Sequence, residues 1–216
     1  MRVDKLQFQV WKTPLKPFVV PFKDNWPLEL KPKHYSYSID IEIFALEFEN
    51  GEEVTCGKIG FIESAFIDVV KTDLAGDSVY NVFDAISADM LSAYKALTIN
   101  DDFNNKFVGR NQNILLLDSV YIEEEYRKQG IAKNVIINLE KLLCHSLGLK
   151  VGCIITIPED FGFTKEDDPT IINTVNGHRI NTRFQTYMRK LGYKEIANTD
   201  FMYLNPDYKD RGFKVV

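Results

Sequence analysis

The stretch Val120-Tyr121-Ile122-Glu123-Glu124-Glu125-Tyr126-Arg127-Lys128-Gln129-Gly130-Ile131-Ala132 decides the fold, because it leads from a strand through a turn into a helix. Ahead of it, residues 114–122 are rich in Leu, Ile and Val and predict a strand, with one conspicuous acid, Asp118, inside the run. Behind it, Ile131, Val135, Ile136, Leu139, Leu142 and Leu143 recur at helical spacing. They predict a helix from about Lys128 to Leu147, with Gly148 placed to end it. The first turn of a helix leaves backbone N–H groups without intrahelical partners, and the helix dipole adds partial positive charge there. A diphosphate accepts from several such donors at once. Gly130 has no Cβ and Ala132 only a methyl group, so phosphate oxygens can come close to the backbone, while Arg127 and Lys128 supply positive charge. The plainer alternative is that Gly130 eases a tight turn and the basic pair is solvated. The stretch is neither a GxxxxGK[ST] loop nor a GxGxxG fingerprint. From the residues alone, it points to a phosphate-bearing ligand without naming it.

Working outward, residues 151–157 read as a short, nearly all-apolar strand of the kind buried on both faces. A long segment, 158–177, carries Glu159, Asp160, Glu166, Asp167 and Asp168, which either attract a cationic amine or stay solvated. A helix is predicted at 181–191, stopped by Gly192, and a last strand at 201–204. Upstream, residues 35–48 are β-rich, Asn50-Gly51 is a turn signal, and 54–70 reads as a second strand. Together they predict an antiparallel hairpin with a bulge at Gly57 or Gly60. Val82, Phe83, Ile86, Met90, Leu91, Tyr94 and Leu97 predict one amphipathic helix over 81–97, and the polar residues 98–112 a loop.

Residues 1–34 are set apart as an N-terminal proline-rich arm from a domain spanning 35–216. Pro14, Pro17, Pro21, Pro27 and Pro32 exclude a helix or a central strand, and Phe18, Val19, Val20, Phe22 and Trp26 suit packing along a surface. The 216 residues are 45% hydrophobic and 26% charged, enough for one folded domain with such an arm. A net charge of −5, from 26 basic and 31 acidic residues, argues against a general nucleic-acid binder. Cys56, Cys144 and Cys153 show no CxxC pairing, so reduced thiols in a cytoplasmic protein are expected rather than a zinc site or a disulfide framework. The first ten residues alternate polar and apolar and do not read as a signal peptide. No run approaches the roughly 18–20 apolar residues of a membrane span, so no membrane partner is expected.

The motif Arg127-Lys128-Gln129-Gly130-Ile131-Ala132, approached through Val120-x-Ile122 and Glu125-Tyr126, resembles the [QR]-x-x-G-x-[GA] signature of the GNAT N-acetyltransferase superfamily. Lys190-Leu191-Gly192-Tyr193 looks like the family's "KLGF" beside its final helix, and the resemblance covers roughly residues 110–205. It implies an α/β fold: a mixed, twisted sheet split by a V-shaped cleft, with helices on both faces. It implies acetyl-CoA as co-substrate, with no metal, in a cleft where two strands splay at a bulge. The backbone of Val120, Tyr121 and Ile122 would pair with the pantetheine arm as an added strand. Amides of Arg127, Lys128, Gln129, Gly130, Ile131 and Ala132 would hold the pyrophosphate. The implied reaction is direct transfer of the acetyl group to a primary amine of a small molecule or protein, without a covalent enzyme intermediate.

The resemblance is less clear about catalytic groups. Asn181 fits the family's Asn on the last helix and is assigned to the cofactor side, but alignment through Lys190-Leu191-Gly192 puts Met188 where a proton-donating Tyr is usual. The nearest phenol is Tyr187, about 100° away around the helix, and it is the candidate acid, against a core aromatic. Asp118 is the first candidate base, because burial in an apolar strand would raise its pKa, against a role in accepting backbone hydrogen bonds at a bulge. Glu123 is the second, against a solvated acidic run. His178 is a loop histidine just before the last helix, His34 has no supporting context, and His145 marks the cationic end of its helix. The first half departs from the family, since the hairpin precedes the helix. Two rivals share the fold: a non-catalytic acyl-CoA-binding or regulatory module, and a scaffold whose arm docks a partner or a second subunit as a homodimer.

Overall fold

Alternation along the strands and helical periodicity between them assemble a mixed α/β structure. The computed structural model describes residues 5–15, 35–49, 52–108, 111–159, 171–174 and 177–206. Three long strands come first: β1 (Lys5–Pro14), β2 (Ser36–Glu49) and β3 (Glu52–Ile67). In β2, Ile39, Ile41, Ile43 and Ala45 are completely buried while Asp40 and Glu42 between them are only half-buried, so alternate residues face opposite ways. Short helices α1 (Val69–Leu74), α2 (Val79–Asp84) and α3 (Ala88–Leu97) follow, then β4 (Thr98–Ile99), β5 (Asp102–Phe103) and α4 (Asn105–Val108). Next come β6 (Ile114–Ile122), a 3-10 turn at Glu124–Tyr126, α5 (Ile131–Leu147) and β7 (Cys153–Thr156). The chain continues through β8 (Ile171–Asn173), β9 (Arg179–Asn181), α6 (Thr182–Lys190), β10 (Lys194–Glu195) and β11 (Met202–Leu204).

Among the described residues, seven strands form one sheet in the order β1-β2-β3-β6-β7-β11-β10. Every junction is antiparallel except β6–β7, which is parallel and needs the crossover helix α5. Strand β6 supplies both faces of the core. Leu115 and Leu117 join Val135, Ile136, Leu139 and Leu143 of α5, whereas Ile114 and Leu116 join Met90, Tyr94 and Leu97 of α3. Helices therefore cover both faces of the sheet. Gly148, at φ 67°, closes α5 by donating from its N–H to Cys144 O at 3.0 Å, as its position in the sequence predicts.

Several elements differ from expectation. Part of the segment assigned to the arm, Lys5–Pro14, pairs along its whole length with β2, from Lys5↔Leu46 to Pro14↔Tyr37. Leu6, Phe8 and Val10 pack against the core, and the prolines begin only where the strand ends. The hairpin's second strand stops at Ile67, because Asp68 accepts from Lys71 N at 3.0 Å and starts α1. The single helix expected over 81–97 is two, broken at residues 85–87, where Ser87 Oγ accepts from Met90 N at 3.1 Å and caps α3. The expected loop 98–112 contains β4, β5 and α4. Helix α5 starts at Ile131 rather than Lys128. Register shifts set Ile59 and Cys56 as extra residues in β3, beside the glycines expected to bulge. The turn Asn50-Gly51, the arm from residue 16 to 34, and residues 160–170 of the acidic segment lie outside the described residues.

Gly60 holds β3 against the working end of β6: a Cβ there would lie 2.3 Å from Tyr121 O. Gly60→Ala is expected to lower stability by about 1–3 kcal/mol through this overpacking, read as a reduced urea midpoint at unchanged m-value. An unchanged midpoint would show that the two strands part without cost.

Candidate functional site

The site is built where β6 and β7 separate. Their pairing is confined to Ile114↔Cys153, Leu115↔Ile154 and Leu116↔Ile155. On its other edge β6 stays on β3 as far as Gly60↔Ile122. Beyond Leu116 the β7-facing edge of β6 therefore has no strand beside it among the described residues. The register also explains the divergence. Ser64 pairs with Leu117 and Glu63 with Ser119, which leaves Asp118 opposite no residue of β3. An extra residue of this kind bends the strand and increases its twist. On the other side β7 ends at Thr156, and Pro158, which has no N–H to donate, follows. The chain then bridges from Glu159 to Ile180, and Asn181 N donates to Pro158 O at 2.8 Å. The result is a wedge with β6 as one wall and the continuation of β7 as the other.

The turn at the end of β6 leads into the N-terminus of α5. Arg127 Nε donates to Ile122 O at 2.7 Å, fastening the turn to the strand end, and Tyr126 is buried in the core beneath. Lys128 (φ 63°) and Gly130 (φ 78°) both lie in the left-handed region on either side of Gln129, a conformation that glycine adopts without strain. The first helical bond of α5 runs from Asn134 N to Gly130 O at 3.0 Å. The N–H groups of Ile131, Ala132 and Lys133 thus have no intrahelical acceptor. No side chain caps this end, and no acidic residue occupies its first turn. A Cβ placed on Gly130 would meet nothing within 4 Å, so space lies open there.

The other predicted residues fall as follows. Val120 is half-buried against the α5-side core and Ile122 is buried. The Tyr121 ring stacks on Phe61 with centroids 5.4 Å apart, and its hydroxyl donates to Glu123 Oε2 at 3.1 Å. Glu123 is exposed. Asp118 is also exposed rather than buried in the strand, because the bulge turns it out of the core. Its carboxyl is nevertheless held above the usual range, first by desolvation and then by the carboxylates of Glu63, Glu159 and Asp89. Tyr187 is half-buried and stacked on Phe184, and burial pushes its phenol up. Met188 is completely buried in the α5-side core. Asn181 caps α6, its Oδ1 accepting from Phe184 N at 3.0 Å, so that oxygen already has a structural task. Cys153 is buried in apolar surroundings that push its thiol up.

Two features went unread in the sequence. Across β1–β3, Trp11, Asp40, Glu42, Lys58, Phe61 and Glu63 line a groove of about 440 Å³. Glu42 pairs with Lys58 at 2.7 Å, and Ser119 Oγ donates to Glu63 Oε2 at 2.8 Å, which joins the groove to β6 beside Asp118. Strand alternation was the available signal for this face. The second feature is the contact of His178 Nδ1 with Glu159 Oε1, made across a separation of 19 residues that no local pattern announces.

Among the described residues no group of three His, Cys, Asp or Glu side chains is placed to hold a metal, and no helix is long and apolar enough to cross a membrane. No protein-family model matches the chain, and no curated protein matches it.

The raised Asp118 carboxyl has a consequence for stability. Because it is harder to ionise in the folded chain, stability falls as pH rises from the ordinary Asp value, about 4, through the raised folded value, and the deficit persists above it. Asp118→Asn is expected to melt at a higher temperature than wild type at pH 7, with the gap closing near pH 3. A gap of the same size at both pH values would show that charge is not its cause.

Proposed function

We propose that the wedge between β6 and β7 binds acetyl-CoA and that the protein transfers the acetyl group to a primary amine on a GNAT-type fold. The observation that carries this reading is the parting of two parallel strands at the Asp118 bulge, with an uncapped helix N-terminus and two cations at its mouth. A strand edge that has lost its neighbour suits an extended amide-bearing chain, which can pair with it as another strand does. The pantetheine arm is such a chain, and residues 120–122 would be its partner. The N–H groups of Ile131, Ala132 and Lys133, together with Arg127 and Lys128, suit a pyrophosphate.

The acceptor would arrive over the groove that carries Glu63, Asp40 and Glu42, whose acidic balance favours a cationic amine. Asp118 would receive the ammonium beside the thioester. The departing thiolate takes its proton from Tyr187 or from water, since the buried thioether of Met188 has none to give. Glu123, hydrogen-bonded by Tyr121 and exposed beyond the strand end, is the weaker candidate base. The position of Met188 also supports a second reading, a module that binds acyl-CoA without turning it over.

Calorimetry with acetyl-CoA separates these. Wild type is expected to bind in the micromolar range, and Gly130→Glu to bind at least about tenfold more weakly, a difference of about 1.4 kcal/mol. Gly130→Ala imposes similar backbone strain without the charge and should lose less. Folded wild type that does not bind acetyl-CoA removes both readings. Binding without thiol release on any primary amine leaves the module.

A further inference from the structure

We infer that His178, oriented by Glu159, is the proton acceptor for the incoming amine; this rests on the acetyl-transfer reading of the same cleft. Glu159 lies just past β7 on the far wall of the wedge and is held there by its bridge to Ile180 and by the bond from Asn181 N to Pro158 O. His178 immediately precedes β9, and its Nδ1 meets Glu159 Oε1. A carboxylate can only accept, so Nδ1 is the donor, and in the neutral ring Nε2 then keeps its lone pair. Both side chains are half-buried, which fixes the pair while leaving it within reach of solvent or substrate. Glu159 is also one of the charges that raise the Asp118 carboxyl, so the two carboxylates are near enough to feel each other's charge.

The chemistry favours the imidazole over the carboxylate. An alkylammonium ion of the lysine type has a pKa of about 10.4, an imidazole about 6.5 and an ordinary Asp about 3.9. Proton transfer improves as the acceptor's basicity approaches that of the donor. Asp118 attracts and orients the ammonium ion, and His178 Nε2 takes one of its protons, directly or through one water. The freed nitrogen lone pair attacks the thioester carbonyl, the C–N bond forms and the C–S bond breaks. The nitrogen's surplus proton passes to water, the departing thiolate is protonated to CoA thiol by water or by Tyr187 (which water then reprotonates), and the imidazolium returns its proton to water. Glu159 acts through His178 and is a positioning residue.

The test compares ethylamine with 2,2,2-trifluoroethylamine, primary amines of similar length. Electron withdrawal by fluorine leaves the second already neutral at pH 7, so it has no proton to give up before attack. His178→Ala is expected to lower kcat/KM for ethylamine about 100-fold or more, to change that for trifluoroethylamine far less, and to leave acetyl-CoA affinity within about twofold. Free imidazole should restore part of the ethylamine rate, and Glu159→Gln should show a smaller loss with the same amine selectivity. Acetyl-CoA binding also reports that each variant is folded, and His178→Gln replaces His178→Ala if the latter is not. Equal losses for both amines, no loss for either, or a wild type that binds acetyl-CoA but acetylates neither amine overturns the inference and leaves the donor site standing. Absence of acetyl-CoA binding by wild type overturns the acetyl-transfer reading itself.

Discussion

The rest of the structure depends on the way β6 shares its hydrogen bonds. Up to Leu116 it is paired on both edges, to β3 and β7, and its side chains feed two cores. One extra residue at Asp118 ends that symmetry. From there to Ile122 the strand keeps β3 and loses β7. A β-strand edge presents backbone donors and acceptors at regular intervals, and leaving such groups unpaired away from water costs about 1–3 kcal/mol each. The divergence is tolerable because the wedge is open, and it leaves a strand edge whose donors and acceptors are backbone groups.

The close contact of β3 with β6 makes this possible. Without a paired strand on its second edge, the end of β6 relies on the first edge for its position. Gly60 allows that approach, and the stacked rings of Phe61 and Tyr121 add to it on the outer face. Beyond the strand, Glu123 N donates to Ile59 O at 2.8 Å and Arg127 ties the turn to Ile122. The N-terminus of α5 is therefore set at a fixed angle to the strand end, while Ile131, Val135 and Leu139 anchor the helix in the core. An arrangement this constrained holds its unpaired N–H groups in place before any ligand arrives, which lowers the ordering cost of binding.

What the sequence conveyed follows from the range of the interactions involved. The 114–148 unit was legible because its signals are local: an apolar run, a glycine at a turn, an i/i+3/i+4 stripe and a glycine to stop it. Strand β1 was not, since its alternation is short, prolines follow it, and its partner β2 lies some thirty residues on. The break between α2 and α3 was hidden because Phe83, Ile86 and Met90 keep helical spacing through the corner. Ser87, the residue that caps α3, was the signal that should have weighed more. Asp118 was noticed for the right reason, an acid in an apolar strand, but its surroundings were misjudged: the bulge exposes it, and neighbouring carboxylates share in raising its pKa. Glu159 and His178 were read separately, one as part of an acidic run and one as a loop residue. Only the fold brings them together.

The two ends of the wedge carry opposite charge, and this polarity links the pieces of the site. Arg127 and Lys128 stand at the helix end, with the positive pole of α5 behind them. Asp118 lies where the strands part, close enough to Glu63 and Glu159 for their charges to raise its carboxyl. A polyanion and a cation offered to this surface would be drawn to different places along one strand, separated by the length of residues 118–127. That is the arrangement a two-substrate transfer needs, because each partner is sorted by charge before contact and the reacting ends meet between them. A single anionic ligand would make use of the turn and leave the acidic end unexplained. The Asp118 carboxyl is raised first by desolvation and then by the neighbouring carboxylates, and a cationic acceptor would offset both on binding.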